Sequence, residues 1–493
     1  MPRDIILPPG DISPDVFRQY AHRVADWIAD YRETIADRPI TADVRPGDIV
    51  ARFSDAPPAA PASLDEIFEQ LDTAIMPGIV HWGHPAFFGY FGSTSNGPAL
   101  LGEIVAAALN VSAMTWQTSP AATELETVVV SWIRQMVRLP TTFTGVVYDT
   151  ASIGIVHALA AAREQCGTDV RARGIAGRPD VPVYRIYASD QAHSSIERAA
   201  IVLGLGERNV VRIPSDAAFR LDVAALDTAI RADLDEGLRP MAVVATVGTT
   251  STASVDPVRE IAAVCRARDL WLHVDAAYGG ALALLPERAS VMAGTDLADS
   301  VVVNPHKWMF VPLDFSVLFM QRAELLRRVF AITPEYLRGD AEAGVVNYMD
   351  YGLQLGRRFR ALKAWMVVSA FGSDGIAARI REHCRLARVW ARWIDEDDRF
   401  VLAAPVEMAV VCFRCVPAGL DDVSCDRLNQ RIVRAVNASG DGYLTTTVLH
   451  ERIVMRVGIG NIQTNEGHLE RVWAGILDAV RVFSILPDDQ SSE

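Results

Sequence analysis

The sequence predicts an α/β fold with a mostly parallel, doubly wound sheet, and two observations carry this prediction. Between residues 97 and 330, helical stretches alternate with short runs rich in β-branched residues: 181–189, 242–248, 270–276 and 299–304. Strands that alternate with helices are typical of parallel sheets covered by helices on both faces. The length of 493 residues also exceeds what one hydrophobic core organises, so we expect more than one folding unit.

The N-terminal segment, residues 1–96, is predicted to be a helix followed by an extended arm. Apolar residues recur at spacings of three and four over residues 13–35, which is the period of an amphipathic helix. Ser13 and Pro14 suit the cap and the first turn of that helix. Because the proline-rich arm at 40–62 cannot cover the apolar stripe, we expect the segment to pack on another domain or another subunit.

The rest of the chain divides into a large and a small domain. We assign residues 97–371, which contain the alternating strands and helices, to the large domain. After Gly356, an arginine-rich helical stretch at 357–396 leads into alternating strands. That order is typical of an α+β unit, so residues 372–493 are predicted to form a small C-terminal domain.

The charge and the hydropathy pattern exclude several classes of protein. The formal net charge of −14 argues against binding of nucleic acid or of an anionic membrane surface. No run of about 18 apolar residues is present, so we expect no transmembrane helix. The N-terminus lacks the basic and then apolar pattern of a signal peptide, which favours a cytoplasmic protein.

Cys412 and Cys415 form a CxxC motif within the run AVVCFRCV, which is typical of a strand. Residues three apart in a strand point to opposite faces, and this geometry suits one metal ion poorly. We therefore predict buried, reduced cysteines and no metal site.

Lysine is almost absent from the chain. Lys307 and Lys363 are the only two lysines, so 45 of the 47 basic residues are arginines. A guanidinium cannot form an imine, whereas a buried lysine can lose its proton and react. The two lysines are therefore candidates for a chemical role, although a biased composition must also leave its few lysines somewhere.

Polar residues follow several predicted strands, at the edge where ligands of such sheets bind. Lys307 follows the run DSVVVN, and Asp275 ends the run LWLHVDA just before small residues. His193 precedes a predicted helix, and Thr150, Ala151 and Ser152 open another. Taken singly, each residue also suits a structural role as a cap or as a loop residue.

Together these residues supply what pyridoxal phosphate (PLP) requires. The lysine would form a Schiff base, and the aspartate would keep the pyridine nitrogen protonated. The histidine would stack on the ring, and the helix start would hold the phosphate. Dinucleotides and nucleoside triphosphates lack their usual glycine-rich signatures in this chain.

The sequence resembles the aromatic-L-amino-acid decarboxylase family of group II PLP decarboxylases over residues 15 to 480. The resemblance rests on several motifs in order: HPAFFGYF, SPAATELE, DQAHSSIERA, ATVGTT, HVDAAYGG and NPHKW. It implies a PLP-dependent transferase-like fold of the aspartate aminotransferase type (fold type I). It also implies a homodimer with the active site at the subunit interface, clasped by the N-terminal segment.

The resemblance also implies roles for the residues that match family motifs. Lys307 would carry the cofactor, Asp275 would pair with its ring nitrogen, and Tyr336 would protonate the substrate carbon after CO2 leaves. His193 would lie over the ring, Ala277 under it, and Thr246 would position it from below. The phosphate would be held by Ala151, Ser152, Asn304 and His306, with Thr150 as a further candidate and Gly356 approaching from the partner subunit.

An aromatic substrate pocket is implied as well, partly across the dimer. Its residues would be Trp82, Tyr90, Phe91, Ser93 and Met114. Two positions depart from the family pattern: the phosphate segment TASIGIV lacks a common glutamate after the serine, and Met114 replaces a common aromatic residue. Lys363 matches the family segment too, where it favours a structural role.

The function predicted on this basis is decarboxylation of aromatic L-amino acids to arylalkylamines and CO2. A rival function is that of an aromatic acetaldehyde synthase, in which the loop tyrosine or the stacking histidine is replaced; this sequence has both Tyr336 and His193. A decarboxylase of a non-aromatic amino acid such as glutamate, or a non-catalytic protein that binds PLP, would also fit the sequence.

Overall fold

A seven-stranded sheet organises the larger part of the molecule. The computed structural model describes residues 11–92, 94–332 and 345–485. The strand order is β1-β7-β6-β5-β4-β2-β3, and β7 alone runs opposite to the other six. The strands are β1 (Thr144–Tyr148), β2 (Tyr184–Ser189), β3 (Val210–Ile213), β4 (Arg239–Thr246), β5 (Trp271–Asp275), β6 (Ser300–Val303) and β7 (Ser316–Met320).

A second, four-stranded antiparallel sheet lies near the C-terminus, in the order β10-β11-β9-β8. Its strands are β8 (Phe400–Leu402), β9 (Val410–Cys415), β10 (Thr445–Leu449) and β11 (Arg452–Gly458). Cys412 and Cys415 lie in β9, and both are buried, free thiols.

Helices cover both faces of the large sheet and one side of the small one. The helices that precede β5 are α1 (Pro14–Thr34), α2 (Leu64–Gln70), α3 (Gly97–Leu109), α4 (Pro120–Met136), α5 (Ala151–Gln165), α6 (Val170–Arg173), α7 (Ser195–Val202), α8 (Val223–Asp235) and α9 (Val258–Ala267). Those that follow are α10 (Pro305–Trp308), α11 (Glu324–Phe330), α12 (Ala361–Asp395), α13 (Asp422–Ser439) and α14 (Glu466–Ile485). Within the described ranges, no helix combines the length and the apolar composition needed to cross a lipid bilayer.

The N-terminal helix begins where the sequence predicts. The Ser13 side chain accepts a hydrogen bond from the Val16 amide, and Pro14 occupies the first helical position. None of the α1 residues is buried, and Phe17 is 59% exposed. The helix packs against α2 through the stacked rings of Tyr20 and Phe68.

At the β1 edge of the large sheet, two side chains form hydrogen bonds with backbone groups that face away from β7. The Val147 N–H of β1 donates to Glu126 Oε1 (3.1 Å), and its carbonyl accepts from Arg357 Nη2 (2.8 Å). Both side chains are almost wholly buried. An edge strand normally exposes these groups to solvent.

The predicted alternation of strands and helices is present, and the structure adds four strands that the sequence pattern did not reveal. These are β1, β3, β7 and β10. The domain boundaries after residues 96 and 371 stay predictions. Gly372, beside the second boundary, has the left-handed φ of 64° inside α12 and interrupts that helix.

Candidate functional site

A cavity of about 200 Å3 lies at the carboxyl ends of the parallel strands. Residues from segments distant in the sequence meet there because the ends of parallel strands share one edge of the sheet. The cavity is lined by Phe91, Thr150, Ala151, Ser152, His193, Ser195, Thr246, Gly248, Thr250, Asp275, Ala277, Tyr278, Asn304 and Lys307.

Lys307 enters the cavity from the short helix α10, just after β6. Its Nζ lies 4.9 Å from the centroid of the Phe91 ring. Burial lowers the pKa of Lys307, and the nearby Arg456 cation lowers it further, while Asp275 acts in the opposite direction. A lysine with a lowered pKa holds more of its amine uncharged at neutral pH, which is the nucleophilic form.

Asp275 ends β5 and lies beside Thr246, its register partner at the end of β4. The Asp275 Oδ1 atom accepts a hydrogen bond from the Ala277 amide (3.1 Å), at the point where the chain leaves β5. Thr246 is fixed through its backbone, because its amide donates to Asp256 Oδ2 (2.7 Å). Its hydroxyl is buried without a hydrogen-bond partner in the described structure.

His193 is held in one orientation by Ser195. Its Nδ1 accepts the Ser195 amide (3.1 Å) and lies 2.9 Å from the Ser195 hydroxyl. Because Nδ1 is an acceptor, the neutral ring carries its proton on Nε2. Loss of water around the ring lowers the pKa of His193, and the Lys307 cation adds to this effect, against the opposing charge of Asp275.

The N-terminus of α5 forms one end of the cavity. Thr150 precedes the helix with extended backbone, and Ala151 and Ser152 occupy its first turn. Their amide groups have no carbonyl partner within the helix, so this end of the cavity suits an anion. Asn304 Oδ1 accepts the Ser316 hydroxyl (2.6 Å), which leaves the Asn304 amide nitrogen for another partner.

Phe91 and Tyr278 line the cavity with aromatic rings, and a buried cation lies next to them. Phe91 stacks on Tyr278 with 3.9 Å between ring centroids, and Tyr278 stacks on Trp308 at 4.6 Å. The guanidinium of Arg456 lies over the Phe91 ring at 4.9 Å. Arg456 is only 3% exposed, and it donates to the carbonyls of Tyr90, Thr250 and Ser251.

Five predicted site residues lie outside the lining of this cavity. His306 uses its ring Nδ1 to accept the Phe315 amide (3.0 Å). Trp82 and Tyr90 stack on each other at 5.4 Å and are 45% and 51% exposed. Met114 is half-buried, and Gly356 is exposed with open space around it. Ser93 and Tyr336 lie outside the described residues.

Four lining residues were not singled out from the sequence. Ser195, Thr250 and Tyr278 belong to the motifs DQAHSSIERA, ATVGTT and HVDAAYGG, so the motifs located them without assigning them a role. Gly248 adopts a left-handed φ of 90°, and a Cβ there would lie 2.9 Å from the Gly279 nitrogen. Within the described ranges, no group of three histidine, cysteine or carboxylate side chains could hold a metal ion.

Lys363, the second lysine, is placed very differently. It is 2% exposed and its Nζ lies 2.5 Å from Glu103 Oε1. The adjacent backbone also packs tightly, because a Cβ on Gly102 would lie 2.8 Å from the Lys363 Cα. This position fits the structural role expected for Lys363.

Comparison with known proteins indicates the family of the chain. A family model described as the pyridoxal-dependent decarboxylase conserved domain matches residues 46–416. The chain is 35% identical over 478 residues to phenylacetaldehyde synthase of Arabidopsis thaliana, covering 95% of this chain and 96% of that protein. It is 36% identical over 471 residues to tryptophan decarboxylase 2 of Oryza sativa subsp. japonica, covering 94% of each.

A solved structure gives the same result for the fold. The crystal structure of Oryza sativa TDC with PLP and tryptamine superposes with a TM-score of 0.92 at 34% identity, covering 96% of this chain and 99% of the other. This similarity confirms the predicted fold class and the resemblance to aromatic amino-acid decarboxylases. The chain belongs to the pyridoxal-dependent decarboxylase family.

Proposed function

We propose that the protein uses PLP to decarboxylate an aromatic L-amino acid to the corresponding arylalkylamine and CO2. The observation that carries the proposal is the position of Lys307, whose amine lies 4.9 Å from the centroid of the Phe91 ring in a cavity that Asp275 also lines. In the described structure, no other lysine reaches this cavity.

The residues present fit PLP at both ends of the cavity. The α5 N-terminus with Thr150 and Ser152 suits a phosphate, and Asp275 suits a protonated ring nitrogen. The unpartnered Thr246 hydroxyl is a buried group that a ligand could satisfy. When bound, PLP supplies an electron sink for the electrons released by loss of CO2.

The protein's share of the reaction is to orient the reacting groups and to hold protons. The lowered pKa of Lys307 favours the uncharged amine that bonds the cofactor and later releases the product. His193, neutral and held by Ser195, presents its Nε2–H from the cavity wall. We assign proton delivery to the substrate carbon to Tyr336 on the strength of its sequence motif.

One feature supports an aromatic side chain on the substrate, and a second supports a carboxylate. The stacked rings of Phe91 and Tyr278 offer an apolar, flat surface beside Lys307. In the part of the chain that is described, the Nη2 atom of the buried Arg456 cation has no hydrogen-bond partner. A buried guanidinium of this kind favours an anionic ligand such as an amino acid carboxylate.

The second candidate is an aromatic acetaldehyde synthase, which decarboxylates and also deaminates oxidatively, with O2 as the oxidant that becomes peroxide and with water supplying the aldehyde oxygen. It is favoured by the 35% identity to the phenylacetaldehyde synthase of Arabidopsis thaliana. We place simple decarboxylation first because Tyr336 and His193 are both present.

We also infer that two copies of the chain assemble around the site. On α3, Leu101, Ile104, Val105 and Leu109 are 44–58% exposed and form an apolar face. Patches of this kind mark interaction surfaces. The family resemblance implies that Gly356 reaches the active site of the partner subunit. The open space around Gly356 leaves room for that contact. Sedimentation of the wild type and of Leu101→Asp tests this, with a dimer expected only for the wild type.

The test of the function is product analysis of the purified, PLP-loaded protein. It would be incubated separately with tyrosine, tryptophan, phenylalanine, dihydroxyphenylalanine and glutamate, and CO2, amine, aldehyde and peroxide would be measured. Amine with stoichiometric CO2 from an aromatic substrate supports the proposal. Aldehyde with peroxide favours the synthase, and absence of turnover with all five contradicts both.

Borohydride reduction of the loaded protein tests the role of Lys307 separately. Because the chain has only two lysines, peptide mass spectrometry distinguishes them cleanly. We expect the pyridoxyl label on Lys307 and none on Lys363. Label on Lys363, or an unchanged yield in Lys307→Ala, would refute the assignment.

A further inference from the structure

Three buried polar residues lie directly beneath Asp275. Trp271, His273 and Asp275 alternate along β5, so their side chains share one face of the sheet. Ser300 on β6 is the register partner of His273. The side chains of Trp271, His273 and Ser300 are at most 1% exposed, and none of the three lines the cavity.

These three residues form a hydrogen-bonded chain with a defined direction. Trp271 Nε1 donates to Ser300 Oγ (2.9 Å), and Ser300 Oγ lies 2.8 Å from His273 Nδ1. An indole N–H can only donate, so Ser300 accepts it and keeps its single proton for another partner. Donation of that proton to Nδ1 gives Trp271 Nε1, Ser300 Oγ and His273 Nδ1 each a partner and places the imidazole proton of His273 on Nε2.

The Nε2–H group of His273 is a buried donor that no described residue accepts. Burial lowers the pKa of His273 to about 4, so the ring is neutral at pH 7, and the opposing charge that acts on it is that of Asp275. Buried donors are rarely left without an acceptor, and each such case requires an explanation.

Asp275 has the capacity to accept this donor. One of its oxygens, Oδ1, takes the Ala277 amide. A carboxylate offers about four acceptor positions, so it can also take a histidine N–H and a ring nitrogen N–H. Hydrogen bonds from a second layer of residues are a common means of fixing the orientation of a group that binds a cofactor.

We propose that His273 is a positioning residue, oriented by Trp271 and Ser300, whose Nε2–H donates to Asp275 once the cofactor is bound. This hydrogen bond, which the described structure does not contain, would direct the Asp275 carboxylate at the ring nitrogen of the cofactor. The inference rests on the proposed function, because that function assigns Asp275 to the cofactor. It adds a role for three residues that touch neither the cofactor nor the substrate.

Two substitutions of His273 separate positioning from simple packing. The amide nitrogen of glutamine reaches close to the position of Nε2, whereas that of asparagine reaches only to Nδ1. His273→Gln should therefore retain the donor toward Asp275, and His273→Asn should lose it. A residue that only fills space would not distinguish the two in this way.

The measurement is the dissociation constant of PLP from each apoprotein, obtained by absorbance titration, with the melting temperature of the apoprotein as the folding control. We expect a dissociation constant about tenfold higher for His273→Asn, the loss typical of one hydrogen bond to a charged acceptor. His273→Gln should stay within about threefold of the wild type. Equal affinities in both variants, whether unchanged or equally weakened, would overturn the proposal.

Asp275→Asn completes the experiment and separates the two hypotheses. If His273 acts by positioning Asp275, then Asp275→Asn weakens PLP binding and His273→Asn adds nothing in that background. A loss in Asp275→Asn with no loss in His273→Asn would reject only the role of His273. No loss in Asp275→Asn would reject the assignment of Asp275 itself, and the role of His273 with it.

Ser300→Ala provides a second route if His273→Asn does not fold. It removes the donor that fixes the imidazole tautomer but leaves the histidine in place. We expect a smaller rise in the PLP dissociation constant, of about threefold, because the ring can then carry its proton on either nitrogen. Wild-type affinity in Ser300→Ala would contradict the proposed orientation by Trp271 and Ser300.

Discussion

The guanidinium of Arg357 and the carboxylate of Glu126 face each other through two hydrogen bonds of 2.6 and 3.0 Å, with both side chains at most 5% exposed. The same pair binds both backbone groups of Val147 and the carbonyl of Ala113. It therefore joins β1, which leads to the α5 N-terminus, to the segments that carry Met114 and Gly356.

Removal of one partner of this pair should be strongly destabilising. Glu126→Ala leaves the Arg357 charge buried and unpaired, and we expect the free energy of unfolding to fall by about 3–5 kcal/mol. Urea unfolding of the apoprotein measures this change. Glu287→Ala, which breaks an exposed pair with Arg381, is the matched control and should leave the stability unchanged within error. Equal effects of the two variants would contradict the argument.

The pH at which Lys307 becomes reactive should depend on the neighbouring charges of Arg456 and Asp275. Burial and Arg456 lower its pKa, so the amine should become reactive at a pH below the usual midpoint of about 10.5. Arg456→Met should move that midpoint up, and Asp275→Asn should move it down. Labelling of the apoprotein with a small amine reagent across a pH series, read by mass spectrometry, measures the midpoint. A midpoint that is the same in all three proteins would refute the electrostatic account.

Asp256 should make stability depend on pH. Burial raises its pKa to about 6, while in the unfolded chain it titrates near 4. Between about pH 4 and 6 the folded state therefore holds a proton that the unfolded state has lost. The contribution of Asp256 to the free energy of unfolding is fully present below pH 4. It is lost as the pH rises past 6, and the free energy of unfolding then falls by about 3 kcal/mol.

Asp256→Asn cannot titrate and should lack this slope. The difference in unfolding free energy between wild type and variant, measured in urea at pH 4 and pH 7, should change by about that amount in favour of the variant. A difference that is independent of pH would show that Asp256 ionises normally in the folded protein.

Gly248 should be intolerant of a side chain for reasons beyond its backbone angle. Gly248 and Gly237 both have a left-handed φ, of 90° and 76°. A Cβ on Gly237 meets nothing within 4 Å, whereas one on Gly248 meets the Gly279 backbone at 2.9 Å. Gly237→Ala should cost about 1–2 kcal/mol, and Gly248→Ala should cost more and also weaken PLP binding. Similar losses of stability would mean that the loop at Gly248 moves to make room.

Tyr336→Phe tests proton delivery. If Tyr336 protonates the substrate carbon, the variant should lose amine and, in air-saturated buffer with O2 as the oxidant, gain aldehyde, ammonia and peroxide. Product analysis with the preferred substrate measures this change. Tyr351→Phe, a substitution of the same kind outside the cavity, should keep the wild-type product. An unchanged amine yield from Tyr336→Phe would show that another group supplies the proton.

Strand-end residues were predictable because the sequence pattern places them there. Lys307, Asp275 and Thr246 each lie at or just after the end of a predicted strand, and the ends of parallel strands converge. The antiparallel strand β7 and its partner β1 were missed, because short apolar runs do not reveal their direction or their pairing. This arrangement depends on contacts between segments that lie far apart in the sequence, such as the pairing of Thr144 with Met320.

Arg456 could not be located from the sequence. It lies on a strand of the small sheet, 149 positions after Lys307, and ordinary alternation is the only local pattern around it. Its position beside the cavity depends on how the small sheet packs against the large one. The same holds for Ser195, whose effect on His193 is a matter of hydrogen-bond geometry rather than of residue type.

The ring of Phe91 lies next to two cations, those of Lys307 and Arg456, and affects how readily Lys307 loses its proton. Lys307 and Arg456 both lie 4.9 Å from its centroid, so a quadrupole faces two positive charges. A carboxylate in that place would neutralise them more strongly and would hold the Lys307 proton more tightly. An aromatic face attracts a cation weakly and carries no net charge. The site can therefore tolerate two neighbouring cations while one of them remains ready to become a free base.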